Sequence, residues 1–295
     1  MALLTRASGM RVDLPRQRRP ALHSLARLPG ARVGGAILVL LILFAAVGLV
    51  ATPYDPLEIA PAEKLQPPSS RHLLGTDNLG RDLLSRLMAG ARISLSSAVI
   101  VLAIAATLGV GLGLLAGYLG GSVDEVVMRV TDVVLAFPAL VLALAIAATL
   151  GPGLINAMIA VALAWWPWYT RLVRAQVLSF RQQEFVLAAV SVGASPGRVI
   201  FRHILPNLAP LIIVQGSMDV GYAILATASL SFVGLGAQPP IPEWGAMIAQ
   251  ARSYLIDYWW YPAFPGMAIF LAVLGFNLLG DAVRDALDPR LRSRA

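Results

Sequence analysis

Residues 184–207 read EFVLAAVSVGASPGRVIFRHILPN, and their position between long apolar runs decides how the rest of the chain is read. Glu184–Val192 has the pattern of a short helix, with Ala188 and Ala189 small enough for close contact. Gly193 breaks that helix, Ser195 can cap a new start, and Pro196 suits a first helical position. Val199–Leu205 continues helically, and Pro206 marks the approach to the next apolar run. A short rigid helix on a loop suits insertion into a groove on another protein. The pattern alone equally suits an amphipathic helix lying on a bilayer, with Arg198 and Arg202 toward the headgroups.

The composition says what surrounds this loop. The 295 residues are 58% hydrophobic and only 13% charged, with a mean hydropathy of +0.74. A soluble domain carries about 25% charged residues, so the halved, clustered charge points to a polytopic membrane protein. Cysteine is absent, which excludes disulfides, thiol catalysis and cysteine-ligated metal or iron–sulfur sites. His23, His72 and His203 are too scattered to make a metal site on their own. The net charge of +7 would suit nucleic acid, but its distribution speaks for membrane orientation instead.

Six segments reach the roughly 20 apolar residues needed to cross a hydrocarbon core: Val33–Ala51, Leu95–Leu119, Val126–Leu150, Gly153–Tyr169, Leu208–Leu235 and Phe264–Gly280. The first is too long for a cleaved signal peptide and lacks its small-residue cleavage site, so it reads as an anchor. With the N-terminus inside, 17 Lys and Arg fall on cytoplasmic segments and 6 on outer ones. The positive-inside rule then puts both termini and the 170–207 loop in the cytoplasm. The resulting division is a basic tail at 1–32, a first span at 33–51 and an extracytoplasmic segment at 52–94. A five-helix core at 95–284, with its loop at 181–207, and a C-terminal tail at 285–295 complete it. Trp165, Trp166, Trp168 and Tyr169, and then Tyr258, Trp259, Trp260 and Tyr261, fall at predicted span boundaries and read as aromatic belts.

Gly109, Gly113, Gly117 and Gly121 recur every four residues, lining one helix face as a packing seam against another helix of this chain or a partner. GTDNLGRD, Gly75–Asp82, is a polar turn in which Asp77, Arg81 and Asp82 can form an ion-pair knot. It lacks the regular ligand spacing and distal glutamate of a calcium loop, so no metal is assigned. Asp219 falls near mid-span, where an ionised carboxylate costs about 2.5–3.5 kcal/mol on insertion scales. Such a residue faces either a translocation path, where it would attract a cationic amino group, or a hydrogen-bond partner on a neighbouring helix.

The quoted loop resembles the EAA loop of ABC-importer permeases, whose pattern is E-A-A, three residues, Gly, nine residues, I-x-L-P. With Gly193 on its glycine, Ala188 and Ala189 fall on the alanines and Leu205 and Pro206 on the final pair. Leu187 stands where the family has glutamate, with Glu184 one turn before it, and His203 replaces the isoleucine. RHILPN, Arg202–Asn207, is the wording of permeases of the dipeptide/oligopeptide/nickel type. HLLGTDNLGRDLLSRLMAGARISL (72–95), QPPIPEWGAMI (238–248) and FNLLGDAVRDALDPR (276–290) are similar to the C-type subunit of those permeases. The resemblance covers about residues 33–290 and leaves the basic tail unmatched; that tail reads as an anionic-lipid or topology signal.

The resemblance implies an all-α protein with six transmembrane helices, the type I ABC-importer permease fold and a cytoplasmic coupling helix. It implies a bacterial inner-membrane location, a second homologous permease subunit as heterodimer partner, two ABC ATPase subunits and an extracytoplasmic substrate-binding protein. Glu184, Leu187, Ala188, Ala189, Gly193, Ala194, Ser195, Arg198, His203 and Pro206 would then face the ATPases. Asp219 and Thr227, the latter where relatives often carry glutamate, would face the pathway. Dipeptides or short oligopeptides are the implied cargo, with nickel chelates, glutathione or opine-like compounds as alternatives. The chain has no catalytic constellation and no GxxxxGK[ST] segment, so ATP and magnesium fall to the partner ATPases and no cofactor to this chain. A secondary transporter would need ionisable residues at midplane and internal repeats; only Asp219 qualifies, and no repeat is visible.

Overall fold

The computed structural model describes residues 28–287; the expectations for residues 1–27 and 288–295 of the two tails lie outside it. Among the described residues every regular element is a helix apart from an isolated bridge between Thr76 and Asp82. The order is α1 (Pro29–Val50), α2 (Leu83–Leu119), α3 (Gly121–Leu135), α4 (Ala139–Leu150), α5 (Leu154–Phe180), α6 (Glu184–Ser191), α7 (Pro196–Val199), α8 (Leu205–Phe232), α9 (Trp244–Ala251) and α10 (Trp260–Leu287).

Four of these are long and apolar enough to cross a membrane: α1, α2, the continuous 196–232 helix that ends in α8, and α10. A fifth span requires α3 and α4 together, and they meet at 91°. The single straight helix expected over 126–150 is therefore broken. Pro138, at the start of α4, has no N–H to continue the ladder and restricts the residue before it. At 12 residues, α4 spans only about 18 Å. The remaining expected span lies within α5, which is long enough at 27 residues but is interrupted by WWPWYTR, whose polar and aromatic side chains dilute its apolar run.

Three boundaries move further. Helix α2 begins at Leu83 rather than at Leu95, because Asp82 caps it, its carboxylate accepting from the Ser85 N–H. Helix α5 runs to Phe180, well into what the apolar pattern leaves as loop, and α10 continues into the segment read as a tail.

The bundle is built on α2, whose most extensive packing is against α5. A Cβ on Gly109 would lie 2.4 Å from the Trp166 carbonyl, and one on Gly113 or Gly117 would lie 2.7 Å from α5 atoms. The seam thus faces another helix of this same chain. Gly121 does not belong to it, since α2 ends at Leu119 and nothing lies within 4 Å of a Cβ there. Helix α10 packs against α8 and α1, where a Cβ on Gly34 would sit 2.8 Å from the Gly275 carbonyl.

The aromatic clusters are only partly belts. Trp168 and Trp259 are exposed, but Trp166, Tyr169, Trp260 and Tyr261 are buried, and Trp165 stacks on Tyr222 with ring centroids 3.9 Å apart. Continuation of α5 past Tyr169 places that cluster inside the bundle rather than at a helix end. Helix α9 is fixed by Glu243, whose carboxylate accepts from the backbone N–H groups of Gly245 and Ala246 at 2.9 and 2.8 Å. Burial pushes the Glu243 carboxyl up, against these bonds and the hydroxyls of Ser94 and Ser231.

Candidate functional site

Three clusters carry the chemistry of the chain. The first is the 184–207 segment. Helix α6 is eight residues long, and the backbone reverses at Gly193, whose φ of +81° suits glycine and strains other residues. Ser195 occupies the cap position before α7 with extended backbone, but its hydroxyl makes no capping bond. Pro196 takes the first helical position, and α7 runs through a π-helical turn at Ile200–Ile204 directly into α8. The helix continues through Val199–Leu205 into the apolar run that Pro206 announces; Leu205 bonds back to the Ile200 carbonyl, and the proline sits in the first turn of α8.

This segment has two faces. Val186, Ala189, Val199, Ile200, Ile204 and Leu208 are buried against Leu114 of α2 and Val173 and Val177 of α5. On the other face Leu187 is 52% exposed, Val190 50% and Val192 85%. Glu184, Ala188, Gly193, Ser195, Arg198 and Pro206 are also exposed, while Ala194 and His203 are half-buried. The two family alanines therefore part company: Ala189 packs on the bundle and Ala188 faces out.

Above this segment, Arg174 forms a two-pronged ion pair with Asp124, its Nη2 2.7 Å from Oδ2, and Arg171 pairs with Asp132 at 2.6 Å. Arg181 donates to the Gly117 carbonyl at 3.2 Å and lies over the Tyr118 ring. These contacts join α5, which leads into α6, to α3 and the end of α2.

The second cluster is the turn before α2. Asp77 and Arg81 meet, with Nε 2.6 Å from Oδ2, and Arg86 adds a longer contact at 3.5 Å to the same oxygen. Asp77 Oδ1 accepts the backbone N–H groups of Leu79 and Arg81. Asp82 does not join this pair. It caps α2 and faces His72 Nδ1 at 2.9 Å, while His72 Nε2 faces Glu63 at 3.1 Å and Glu63 holds Arg71 at 2.6 Å. Arg81 reaches Gln250 after α9's first turns, and Tyr261 of α10 donates to Asn78. Glu63, Arg86 and Gln250 were not singled out from sequence, and His72 was weighed only as a metal ligand. They come from distant or unpatterned positions, and only the i, i+4 spacing of Asp77 and Arg81 gave a local signal.

The third cluster lies within the bundle. Asp219 is buried, and its two oxygens accept from the Tyr169 hydroxyl at 2.8 Å and from Gln215 Nε2 at 3.0 Å. Thr227, two turns along α8, is also buried and donates to the Ala223 carbonyl at 2.8 Å. The structure does not bring Asp219 and Thr227 together. Asp219 instead ties α8 to α5, the two helices that flank the 184–207 segment.

An all-helical bundle with several apolar spans, one end holding a buried ion-pair cluster and the other presenting a short apolar helix, is the architecture of a multi-pass membrane protein. The chain belongs to the binding-protein-dependent transport system inner membrane component family, whose sequence model matches residues 109–293. A second model, the N-terminal TM domain of oligopeptide transport permease C, matches residues 17–68. The chain is 49% identical to the probable D,D-dipeptide transport system permease protein DdpC of Escherichia coli K12 over 86% of its own length and 85% of that protein's. It is 46% identical to the dipeptide transport system permease protein DppC of Alkalihalophilus pseudofirmus, covering 93% and 90% of the two chains. Identity to the nickel transport system permease protein NikC of Escherichia coli K12 is 44%, over 88% and 94%. It is thus an ABC-importer permease subunit, a multi-pass inner-membrane protein.

Proposed function

We infer that the chain forms half of the translocation pathway of an ATP-driven importer for dipeptides or short oligopeptides. A second, homologous permease supplies the other half. Two ATPase subunits bind ATP and magnesium and dock on the 184–207 segment, and an extracytoplasmic binding protein delivers cargo to the far end. Both termini lie in the cytoplasm in this reading, as the distribution of Lys and Arg supports.

The observation that carries the coupling role is the outward apolar face of α6. A bilayer-surface helix would turn its apolar side to lipid and its charges to water. Here the inner face is already spent on the bundle, and Leu187, Val190 and Val192 remain uncovered on the other. A groove on a soluble ATPase fits that remainder, with Leu187 in place of the family's carboxylate making the contact an apolar one. ATP-driven closure would then move α6 and α7, and with them α5 and α8, as rigid bodies. The test uses the absence of native cysteine: Val192→Cys should crosslink to a cysteine on the ATPase in whole membranes. Labelling by lipid-phase reagents alone would sink the docking reading.

Dipeptide-type names among the relatives support peptide cargo, and the nickel and glutathione names among them support the alternative equally. Uptake of labelled dipeptide, glutathione and chelated nickel by the reconstituted importer decides among them. For Asp219, the pathway role predicts that Asp219→Asn weakens uptake of peptides with a free amino terminus. The Tyr169 bond supports the other role, in which Asp219→Asn and Tyr169→Phe give the same defect for every cargo.

A further inference from the structure

A groove of about 590 Å³ runs between α1, the turn after it, α2 and the start of α5. We propose that it is a specific site for one phosphatidylethanolamine molecule, with the lipid phosphate on Arg92 and the ammonium on Asp55. This assignment depends on neither the cargo nor the docking of the ATPases.

The groove is a built feature. Its floor is fixed where α1 crosses α2, since a Cβ on Gly48 would lie 2.8 Å from the Met88 Cβ. Its polarity changes along its length. Arg92 and Ser96, one turn apart on α2, share it with Asp55. Ile100, a further turn along, and Ala45 of α1 are apolar, about 12 Å from the level of Arg92. A ligand that fits therefore has a charged head and a hydrocarbon tail.

Arg92 supplies the second observation. Arg71, Arg81 and Arg86 of this end are each held by a carboxylate, whereas Arg252, which does not line the groove, is not. Arg92 is exposed, and among the described residues it has no hydrogen bond or ion pair. Asp55, on the opposite wall, uses one oxygen on the Leu57 N–H at 2.8 Å and meets no cation. Arg92 also stands three residues before the apolar run that begins at Leu95, the depth at which phosphates lie against a spanning helix.

The walls select a lipid over a soluble anion. Leu49 of α1 and Ile100 of α2 line the groove and are 60% and 45% exposed, an apolar surface that hydrocarbon covers more favourably than water. The head is selected by charge. A purely anionic head would set like charge against Asp55, and a quaternary ammonium has no N–H to donate. Ethanolamine gives a phosphate to the guanidinium and an N–H donor to the carboxylate. An arginine that merely snorkels to any passing phosphate would show no such preference.

The test is lipid titration of the purified, assembled importer, read by native mass spectrometry with dioleoyl phosphatidylethanolamine, phosphatidylcholine and phosphatidylglycerol. One phosphatidylethanolamine should be retained, by roughly tenfold over the other two, the scale of a charge-assisted hydrogen bond. Arg92→Gln should lower retention of all three about tenfold, and Asp55→Asn should level the three heads. Unchanged retention in Arg92→Gln, or a head preference that survives in Asp55→Asn, overturns the site. So does displacement of the lipid by free glycerophosphoethanolamine at equal concentration, which would mark a soluble-anion site. Should a variant fail to assemble, photoactivatable phosphatidylethanolamine on the wild-type complex gives an independent readout. Adducts confined to residues 45–57 and 89–100 support the site, and adducts spread over all lipid-facing helices refute it.

Discussion

At the Leu83 end of α2, each ionisable side chain between residues 77 and 86 is buried and meets an ionisable partner. At the Leu119 end, about 55 Å away along the same 37-residue helix, the neighbouring α6 leaves Leu187, Val190 and Val192 at least half exposed. In the first region Asp77, Asp82 and Glu63 each stand opposite a base, although Arg86 Nη2 and Gln250 Nε2 are buried without a hydrogen-bond partner. The second leaves an apolar face with nothing among the described residues to cover it. A closed knot resists change and fixes the relation of α2, α9 and α10; an open face invites a partner. Substitutions at the two ends should therefore fail differently, one in stability and the other in coupling.

The largest effect is expected at Asp77. Its carboxylate meets two buried guanidiniums and two backbone N–H groups. Asp77→Ala leaves Arg81 and Arg86 facing each other in a dry site, a loss of about 3–5 kcal/mol. Thermal unfolding of the purified subunit should show a large fall in midpoint. The double variant Asp77→Leu with Arg81→Met removes the 2.6 Å pair together and should recover part of that loss. A midpoint unchanged in Asp77→Ala would mean that the knot is ornamental and would erase the contrast between the two ends.

Between the two ends lies the glycine seam, where α2 packs on α5. Gly109→Ala forces a Cβ to 2.4 Å from the Trp166 carbonyl, which is backbone and cannot swing aside, at a cost of about 1–3 kcal/mol. Gly111→Ala is the internal control, for nothing lies within 4 Å of its added Cβ. It should leave the unfolding midpoint unchanged or slightly raised. Helix propensity alone favours alanine at both positions, so equal losses at both would show that the fall does not come from the packed seam.

What could be read from sequence follows the same division. Helices α1 and α8 announce themselves because their apolar runs nearly coincide with their full length, whereas α10 starts four residues before its apolar run and continues seven beyond it. The start of α2 does not, since residues 83–94 form helix beyond the apolar run and an apolar count cannot see it; the Asp82 cap was the available signal. The bend between α3 and α4 hides in a run whose apolar character continues across Pro138. In the site, Asp77 and Arg81 are legible because they are four residues apart. Asp82 was read into the same pair, yet its partner is His72, ten residues back, brought close only by the folding of the 61–76 turn. Likewise Trp166 and Tyr169 look like a belt until α5 is seen to run on past them and bury them.

A smaller effect is expected at the turn between α6 and α7. Gly193 has φ +81° and open space around an added Cβ, so Gly193→Ala meets backbone strain alone, about 1–2 kcal/mol. That strain falls on the angle between α6 and α7 rather than on the core. Transport should drop while the unfolding midpoint moves only slightly.

The smallest change in stability, and the sharpest test of the comparison, is Val192→Ser. Val192 is 85% exposed and belongs to neither buried cluster; a surface substitution of this kind alters stability by less than about 0.5 kcal/mol. The isolated subunit should unfold at the wild-type midpoint. In the assembled importer the same change removes apolar area from the uncovered face, so ATP hydrolysis should lose its stimulation by loaded binding protein, and ATPase should be lost more readily on dilution. Asp77→Ala, in whatever fraction still folds, should keep its ATPases bound. If instead both variants lowered stability and coupling in parallel, the two ends would belong to one cooperative unit, and the exposed face of α6 would be a consequence of that unit rather than a docking surface in its own right.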